Sequence, residues 1–257
     1  MSGDSPERQL ERRARPRTEV VLPSDHAGAE TLEILAEAPQ YNRWQLDMVA
    51  PWLGKRILEV GAGIGNMSAQ FLEGRPDLLV VTDTDAFYRA RLAERFTGRA
   101  EVEVEALSMP DLSAGPRFAE YRLDTVIATN VVEHIEDDLG TVRTMRSLLV
   151  SGGRAVILVP ALQSIYGTID RELGHYRRYS PSRLRLLLER AGLEVEQLRW
   201  FNRVGVFGWW FNGRVRGVSR IPLDQLRTFD RLVPLLRLER FLPLPFGQSL
   251  IAVGRAP

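Results

Sequence analysis

Cysteine is absent from the 257 residues, which excludes disulfides, thiolate metal centres and a cysteine nucleophile and makes intracellular residence the default expectation. Lysine is almost absent too. Lys55 stands alone among 34 basic residues, a bias toward arginine that implies no recognition role. Neither sign of charge dominates: 33 acidic residues leave a net charge of +1, too little to attract nucleic acid or an anionic membrane. Long apolar runs are missing as well. Val204 to Phe211 is eight residues with two glycines, far short of the roughly 20 that span a bilayer. The first twenty residues mix arginine with acids and lack the apolar stretch of a secretory signal. A cytoplasmic protein with no transmembrane segment and no nucleic-acid partner is expected.

What is present is a regular alternation. Runs rich in β-branched residues at Arg56 to Val60, Leu78 to Thr82, Glu101 to Glu105, Leu123 to Thr129 and Arg154 to Pro160 alternate with amphipathic segments. That pattern predicts a parallel sheet covered on both faces. Two further strands are expected at Leu193 to Phe201 and Ser249 to Val253. Helices are predicted between Ala27 and Leu53, broken at Pro39, with Leu32, Leu35 and Ala36 and then Trp44, Met48 and Val49 at helical spacing. Ala86, Ala90 and Ala93 share a face beside Phe96. Val142, Met145 and Leu149 share another before a stop at Gly152-Gly153. The best-punctuated helix has Ser180 as N-cap and Pro181 in its first turn, runs through Leu184, Leu187, Leu188 and Ala191, and stops at Gly192.

The chain divides into a disordered tail (1–25), a helical cap (26–54), a core (55–201), an insertion (202–248) and a last strand (249–257). The insertion is far longer than an ordinary connection and carries Phe207, Trp209, Trp210, Phe211, Phe229, Phe241 and Phe246 with Pro222, Pro234, Pro243 and Pro245. Two roles are open to it: packing against the sheet edge or a second copy of the chain, and an apolar wall or lid over a pocket.

The first strand ends in Glu59 and runs into Gly61, Ala62, Gly63, Ile64 and Gly65, with a helix beginning near Asn66. A dinucleotide fingerprint would want glycine where Asn66 stands. The carboxylate of Glu59 suits a ligand bearing an ammonium and a sulfonium better than a pyrophosphate. Asp83, closing the second strand beside Thr84, is placed to accept bonds from ribose hydroxyls. A glycine turn that merely packs, or one that holds a nicotinamide cofactor, is the alternative.

The segments ILEVGAGIGNMS, VVTDTD, LDTVIATNVVEHIEDD and GGRAVILVP resemble the first, second, fourth and fifth conserved blocks of class I S-adenosylmethionine-dependent methyltransferases. The resemblance runs from Arg56 to about Phe201. It implies an α/β, Rossmann-like, seven-stranded, mostly parallel sheet and S-adenosylmethionine as methyl donor, with S-adenosylhomocysteine as product. By resemblance, Glu59, Gly61, Ala62, Gly63, Gly65 and Asn66 hold the methionine portion, Asp83 and Thr84 the ribose, and Asn130 marks the fourth strand's end. Tyr41, Asn42 and Trp44 are cap contacts. Many relatives carry an Asp after the third strand to bind adenine; here Leu107 and Ser108 stand in that place, and adenine is expected to be bonded there by backbone or by Ser108.

Methyl transfer needs alignment and, for some acceptors, a base. His134, after Glu133, is one candidate, although the pair also suits a purely structural anchor for the next helix. Glu133 and His134 are similar to part of the carboxylate-histidine set of some quinol methyltransferases, but no third ligand is evident beside them, so no metal is expected. Residues 166–179 gather Tyr166, Asp170, Arg171, His175, Tyr176, Arg177, Arg178 and Tyr179, and loops beyond strand ends are where function concentrates. His175 is read as general base or orienting donor, Tyr179 as a further catalytic candidate, and Arg177 or Arg178 as the partner of an acidic substrate group; a salt-bridged loop is the competing account. His26, in an expected linker, has no role. The expected function is O-methylation of a small, partly apolar molecule, with a homodimer through 202–248 possible. The alternatives are a non-methylating reaction such as cyclisation, or a non-catalytic cofactor-binding subunit.

Overall fold

The computed structural model describes residues 26–218, 222–241 and 244–257. The expected tail at 1–25, and Pro243 of the insertion, lie outside the described residues. Two helices come first, α1 (His26–Ala36) and α2 (Pro39–Val49), so His26 opens a helix instead of lying in a linker. Pro39 falls in the first turn of α2, where its missing N–H costs nothing, and the break expected there is a helix start.

The sheet is built from β1 (Arg56–Val60), β2 (Leu78–Asp83), β3 (Val102–Ala106), β4 (Leu123–Thr129), β5 (Leu149–Pro160), β6 (Glu194–Phe201) and β7 (Ser249–Arg255). Their order is β3-β2-β1-β4-β5-β7-β6, seven strands in all. β7 runs antiparallel to both of its neighbours, and the pairings from β3 through β5 are parallel. β1 and β2 are buried along nearly their whole length, as befits strands covered on both faces, whereas edge strands β3 and β6 mix exposed and shielded positions. Alternate residues feed the two faces. Leu58 and Val60 join one core with Val126 and Ile157, while Ile57 joins the other with Leu79, Ile127 and Val156.

Between the strands lie α3 (Asn66–Phe71), α4 (Ala86–Arg95), α5 (Ala114–Phe118), α6 (Asp138–Ser147), α7 (Thr168–Glu172) and α8 (Pro181–Arg190). α8 matches its punctuation: the Ser180 hydroxyl accepts from Arg183 N at 3.2 Å, and Gly192 leaves the helix at φ +82°. Two sequence expectations are overturned. Ala86, Ala90 and Ala93 face solvent; Leu92 and Phe96 are the buried residues of that segment, because larger apolar side chains gain more from burial and set the helix's rotation. Leu149 is not on the face of α6 but opens β5 and pairs with Leu123. Gly152-Gly153 therefore lies within the ladder, where Gly152 N donates to Ala256 O at 2.8 Å.

The insertion joins the antiparallel pair β6 and β7, and its ends are clipped together by Asn202 Nδ2 donating to Gln248 Oε1 at 2.8 Å. It forms α9 (Gly205–Trp210), a π-helical turn (Phe211–Val215) and α10 (Leu223–Leu236). α10 docks on α2: Tyr41 N donates to Asp230 Oδ1 at 2.8 Å, and Phe229 meets the Tyr41 ring edge-on at 5.7 Å. Val233 enters the core beside Trp44. The insertion thus packs on α2, and Trp209 and Phe229 also border the cavity described next.

Candidate active site

Beyond Val60 the chain turns through Gly61 and Gly63, with φ of +65° and +55°. A Cβ at these positions would stand 2.8 Å from Val131 Cγ2 and 2.7 Å from Leu32 Cδ1, so glycine alone fits a turn pressed between the end of β4 and α1. Asp83 braces the turn from the end of β2, accepting from Gly63 N at 3.0 Å and from Asp85 N at 2.9 Å. Burial raises the Asp83 carboxyl, against the pull of those two N–H groups. Glu59 is buried behind the turn with the Ser68 hydroxyl donating to it, and burial pushes its carboxyl up to about 8.

A cavity of about 570 Å³ opens over these carboxyl ends, within the usual size of a small-molecule site and at the crevice where open α/β sheets bind ligands. Gly61, Gly63, Asp83 and Asn130 form one side, Tyr41 and Gln45 of α2 another, and the insertion covers it with Trp209, Asn212 and Phe229. Asn130 and Asn202, just after β4 and β6, both adopt left-handed backbone (φ +54° and +60°) and both line it. Such conformations gather at functional sites.

The far wall carries Glu133, His134, His175 and Arg178. It is organised by Asp170, fully buried in α7 and accepting four hydrogen bonds: Gly167 N at 2.9 Å, His175 Nδ1 at 3.0 Å, Arg178 Nε at 2.7 Å and Trp209 Nε1 at 3.0 Å. Burial alone would raise this carboxyl, but His175, Arg178 and Trp209 together hold it down at about 2, so Asp170 is anionic. His175 thereby spends Nδ1 on Asp170 and retains Nε2. The His134 ring meets that of His175 at 82° with centroids 4.6 Å apart. Desolvation, then the neighbouring His175, lower His134 to about 4 although its edge stays open to the cavity. Glu133 has no exposed surface, neither carboxylate oxygen has a hydrogen-bond partner among the described residues, and burial pushes it up to about 8.

Of the residues singled out in the sequence, Tyr41, Gly61, Gly63, Asp83, Asn130, His134 and His175 meet at the cavity. Others do not reach it. Trp44 is core, edge-on to Phe201 at 4.7 Å. Ala62 is buried in the turn, a Cβ on Gly65 would stand 3.0 Å from the Leu92 and Phe96 side chains, and Asn66 donates to Leu32 O at 3.1 Å. Thr84 and Ser108 are exposed, and Leu107 is buried in the sheet's other core. Tyr179 is fully buried with its hydroxyl on Asp138 at 3.1 Å, a structural anchor and not a catalytic group. Arg177 likewise pairs with Asp138 at 3.0 Å, leaving Arg178 as the arginine at the cavity. The third group that the sequence does not place beside Glu133 and His134 is His175. Gln45, Tyr88, Asn202 and Gln248 are lining residues that sequence reasoning missed. Only Gln45 had a signal, standing one helical turn from Tyr41 on the same face of α2.

The sheet order with its reversed last strand, the glycine turn after β1 and the acid at the end of β2 define a class I S-adenosylmethionine-dependent methyltransferase. The chain belongs to the methyltransferase domain family, which matches residues 7–198. Its cofactor is S-adenosylmethionine, and the residues present fit that group: the glycine cradle at Gly61 and Gly63, which any Cβ would fill, opens on the same cavity as the Asp83 carboxylate. The chain is 34% identical over 107 residues to fumosorinone synthetase of Cordyceps fumosorosea, a match covering 40% of this chain and 3% of that protein. It is 23% identical over 169 residues to the ubiquinone biosynthesis O-methyltransferase of Xanthomonas euvesicatoria pv. vesicatoria, covering 58% and 70%. This chain thus spans only a small fraction of the synthase. Among solved structures it resembles a chain of the complex between the Haloferax volcanii Trm112 methyltransferase activator and a methyltransferase, with a TM-score of 0.61 at 16% identity over 91% of this chain and 95% of that one. The [4+2]-cyclase SpnF is similar in fold, with a TM-score of 0.57 at 16% identity over 84% and 81%.

Proposed function

We propose that the protein transfers the methyl group of S-adenosylmethionine to an oxygen of a small, partly apolar molecule. One observation supports this reading: one cavity runs from Gly61, Gly63 and Asp83 to His134 and His175, which offers room for donor and acceptor side by side. S-adenosylmethionine, when bound, supplies an electrophilic methyl carbon. Tyr41, Gly61, Gly63, Asp83 and Asn130 hold it, with Glu59 behind the turn. His175, oriented by anionic Asp170, directs Nε2 to the acceptor hydroxyl. An acceptor oxygen forms the carbon–oxygen bond as the carbon–sulfur bond breaks with its electrons left on sulfur, and the hydroxyl proton passes to His175. Trp209 and Phe229 keep water out and favour an apolar acceptor body.

The proposal includes no nucleic-acid partner. A homodimer through the insertion rests on Phe207, Trp210, Phe211 and Phe241, all of which are exposed. Among the described residues no helix is long and apolar enough to cross a membrane.

The test is product analysis with candidate hydroxylated acceptors. S-adenosylhomocysteine and an O-methylated product in equal amounts support the assignment; conversion of an acceptor without S-adenosylhomocysteine would instead identify a non-methylating reaction. His175→Ala is expected to lower turnover by about 10²–10⁴-fold, the usual contribution of a general base, while calorimetric affinity for S-adenosylhomocysteine stays unchanged. An unaltered rate would return His175 to a structural role.

A further inference from the structure

We infer that the outer face of the insertion seats on an anionic lipid surface. Through α9 and the π-helical turn, Val204, Phe207, Phe211 and Val215 recur at helical spacing on the solvent side, with Trp210 beside them. These five side chains are between 44% and 62% exposed. Phe246 meets Phe207 edge-on at 6.5 Å, and exposed Leu244 precedes it. Single apolar side chains on a surface are ordinary, whereas a strip of large ones marks a contact face.

Charge names the occupant. The whole-chain charge of +1 hides an uneven distribution, for residues 202–248 hold eight arginines and three acids. Two of those acids are buried and turned inward: Asp230 accepts from Tyr41 N at 2.8 Å, and Glu239 from Asn202 N at 2.9 Å and Arg203 N at 2.7 Å. Arg214 and Arg216 stand exposed at the end of the strip, and neither has an ion-pair partner among the described residues. They bond uncharged acceptors, Ser164 O at 3.0 Å and Asn212 Oδ1 at 3.5 Å. Aromatic rings beside unpaired arginines suit the boundary of an anionic bilayer, where rings sit at headgroup depth and guanidinium groups meet phosphates. A homodimer through the same residues would set one positive surface against another, because a two-fold interface brings each patch onto its own copy.

The other side of the same helical segment lines the cavity with Gly205, Gly208, Trp209 and Asn212. A bilayer against the strip therefore lies one helix diameter, about 10 Å, from the cavity. An amphiphile can keep its tail in lipid at that distance while its hydroxylated head enters the cavity. The acceptor class narrows to such lipid-soluble hydroxy compounds. That narrowing rests on the reading of methyl transfer to oxygen, whereas the seating on lipid does not.

The test is co-flotation of the full chain with vesicles of phosphatidylcholine alone and of phosphatidylcholine mixed equally with phosphatidylglycerol. Binding to the anionic vesicles is expected, weakening as salt is raised. Phe207→Ser combined with Phe211→Ser should lower that partition roughly tenfold or more through lost apolar burial. Arg214→Gln combined with Arg216→Gln should lower it roughly tenfold through lost attraction to the headgroups. Leu112→Ser, at an exposed apolar residue outside the insertion, should leave binding as it is; an equal loss there would mean general adsorption and overturn the site. Melting temperatures identify a variant that fails to fold, and if the phenylalanine pair does so, the exposed arginine pair decides. No flotation with anionic vesicles, or flotation that either folded pair leaves unchanged, overturns the inference. A concentration-dependent dimer in sedimentation, dispersed by the phenylalanine pair and without vesicle binding, gives the strip to a second copy and overturns it too. Vesicle binding by a chain that methylates no hydroxylated acceptor would sink the function proposal and leave this one standing.

Discussion

Asp83 and Glu59 show how differently two acids of one motif act. Asp83 lines the cavity and braces the glycine turn, so Asp83→Ala should weaken S-adenosylhomocysteine binding by roughly 1–3 kcal/mol through lost charge-assisted bonds. Calorimetry checks this; wild-type affinity in the variant would refute the ribose role. Glu59 is buried, and burial raises its carboxyl to about 8 against an unfolded value of about 4.3. Between those values the folded chain holds a proton that the unfolded chain has released. Stability from this group is therefore full below about pH 4 and drains away as pH rises toward about 8. Glu59→Gln removes the dependence. The stability of the variant relative to wild type, measured by denaturant melts of the cofactor-free protein, should increase from pH 5 to pH 8; a constant difference would sink the assignment. Both acids were legible from their spacing to the glycines, whereas the pairing of Asp170 with His175, Arg178 and Trp209 was not, because Trp209 is 39 residues away in sequence.

At the scale of elements, strands and caps were the most legible features. β1 and β4 have the boundaries their residues predict, and β7 extends two residues further to Arg255 because its pairing with β5 and β6 continues there. α8 depends on its cap, and Ser180→Ala should cost about 1 kcal/mol in urea denaturation by leaving the first-turn N–H groups without that acceptor. Helix rotation was less legible. In α4 the alanines offered a periodic face, yet Leu92 and Phe96 took the interior, since periodicity identifies a face and only the sheet decides which one is buried.

Across the whole molecule the insertion is the decisive element. It completes the core over α2 through Val233 and Phe229 and covers the cavity through Trp209, whose indole N–H reaches Asp170 at 3.0 Å while its ring lies 4.8 Å from the Arg178 guanidinium. Trp209→Phe keeps the aromatic face and deletes the hydrogen bond. We expect it to cost roughly 1–3 kcal/mol of unfolding free energy, the range for a bond to a charged group, and to raise KM for the acceptor with affinity for S-adenosylhomocysteine unchanged. An altered cofactor affinity with an unaltered acceptor KM would place the insertion on the wrong half of the cavity.

The sequence by itself determined the sheet, the glycine turn and the methyl donor, because strand periodicity, caps and the spacing of Glu59, Gly61, Gly63 and Asp83 are local properties written within about 30 residues. Only the tertiary structure decided which residues share the far wall of the cavity. Glu133 and His134 follow β4, His175 follows β5, and Trp209 lies beyond β6; their meeting is a product of parallel strands delivering their carboxyl ends to one side of the sheet. Tyr179, next in sequence to Arg178, points into the core, because backbone direction past a strand end is set by packing and no short-range pattern records it.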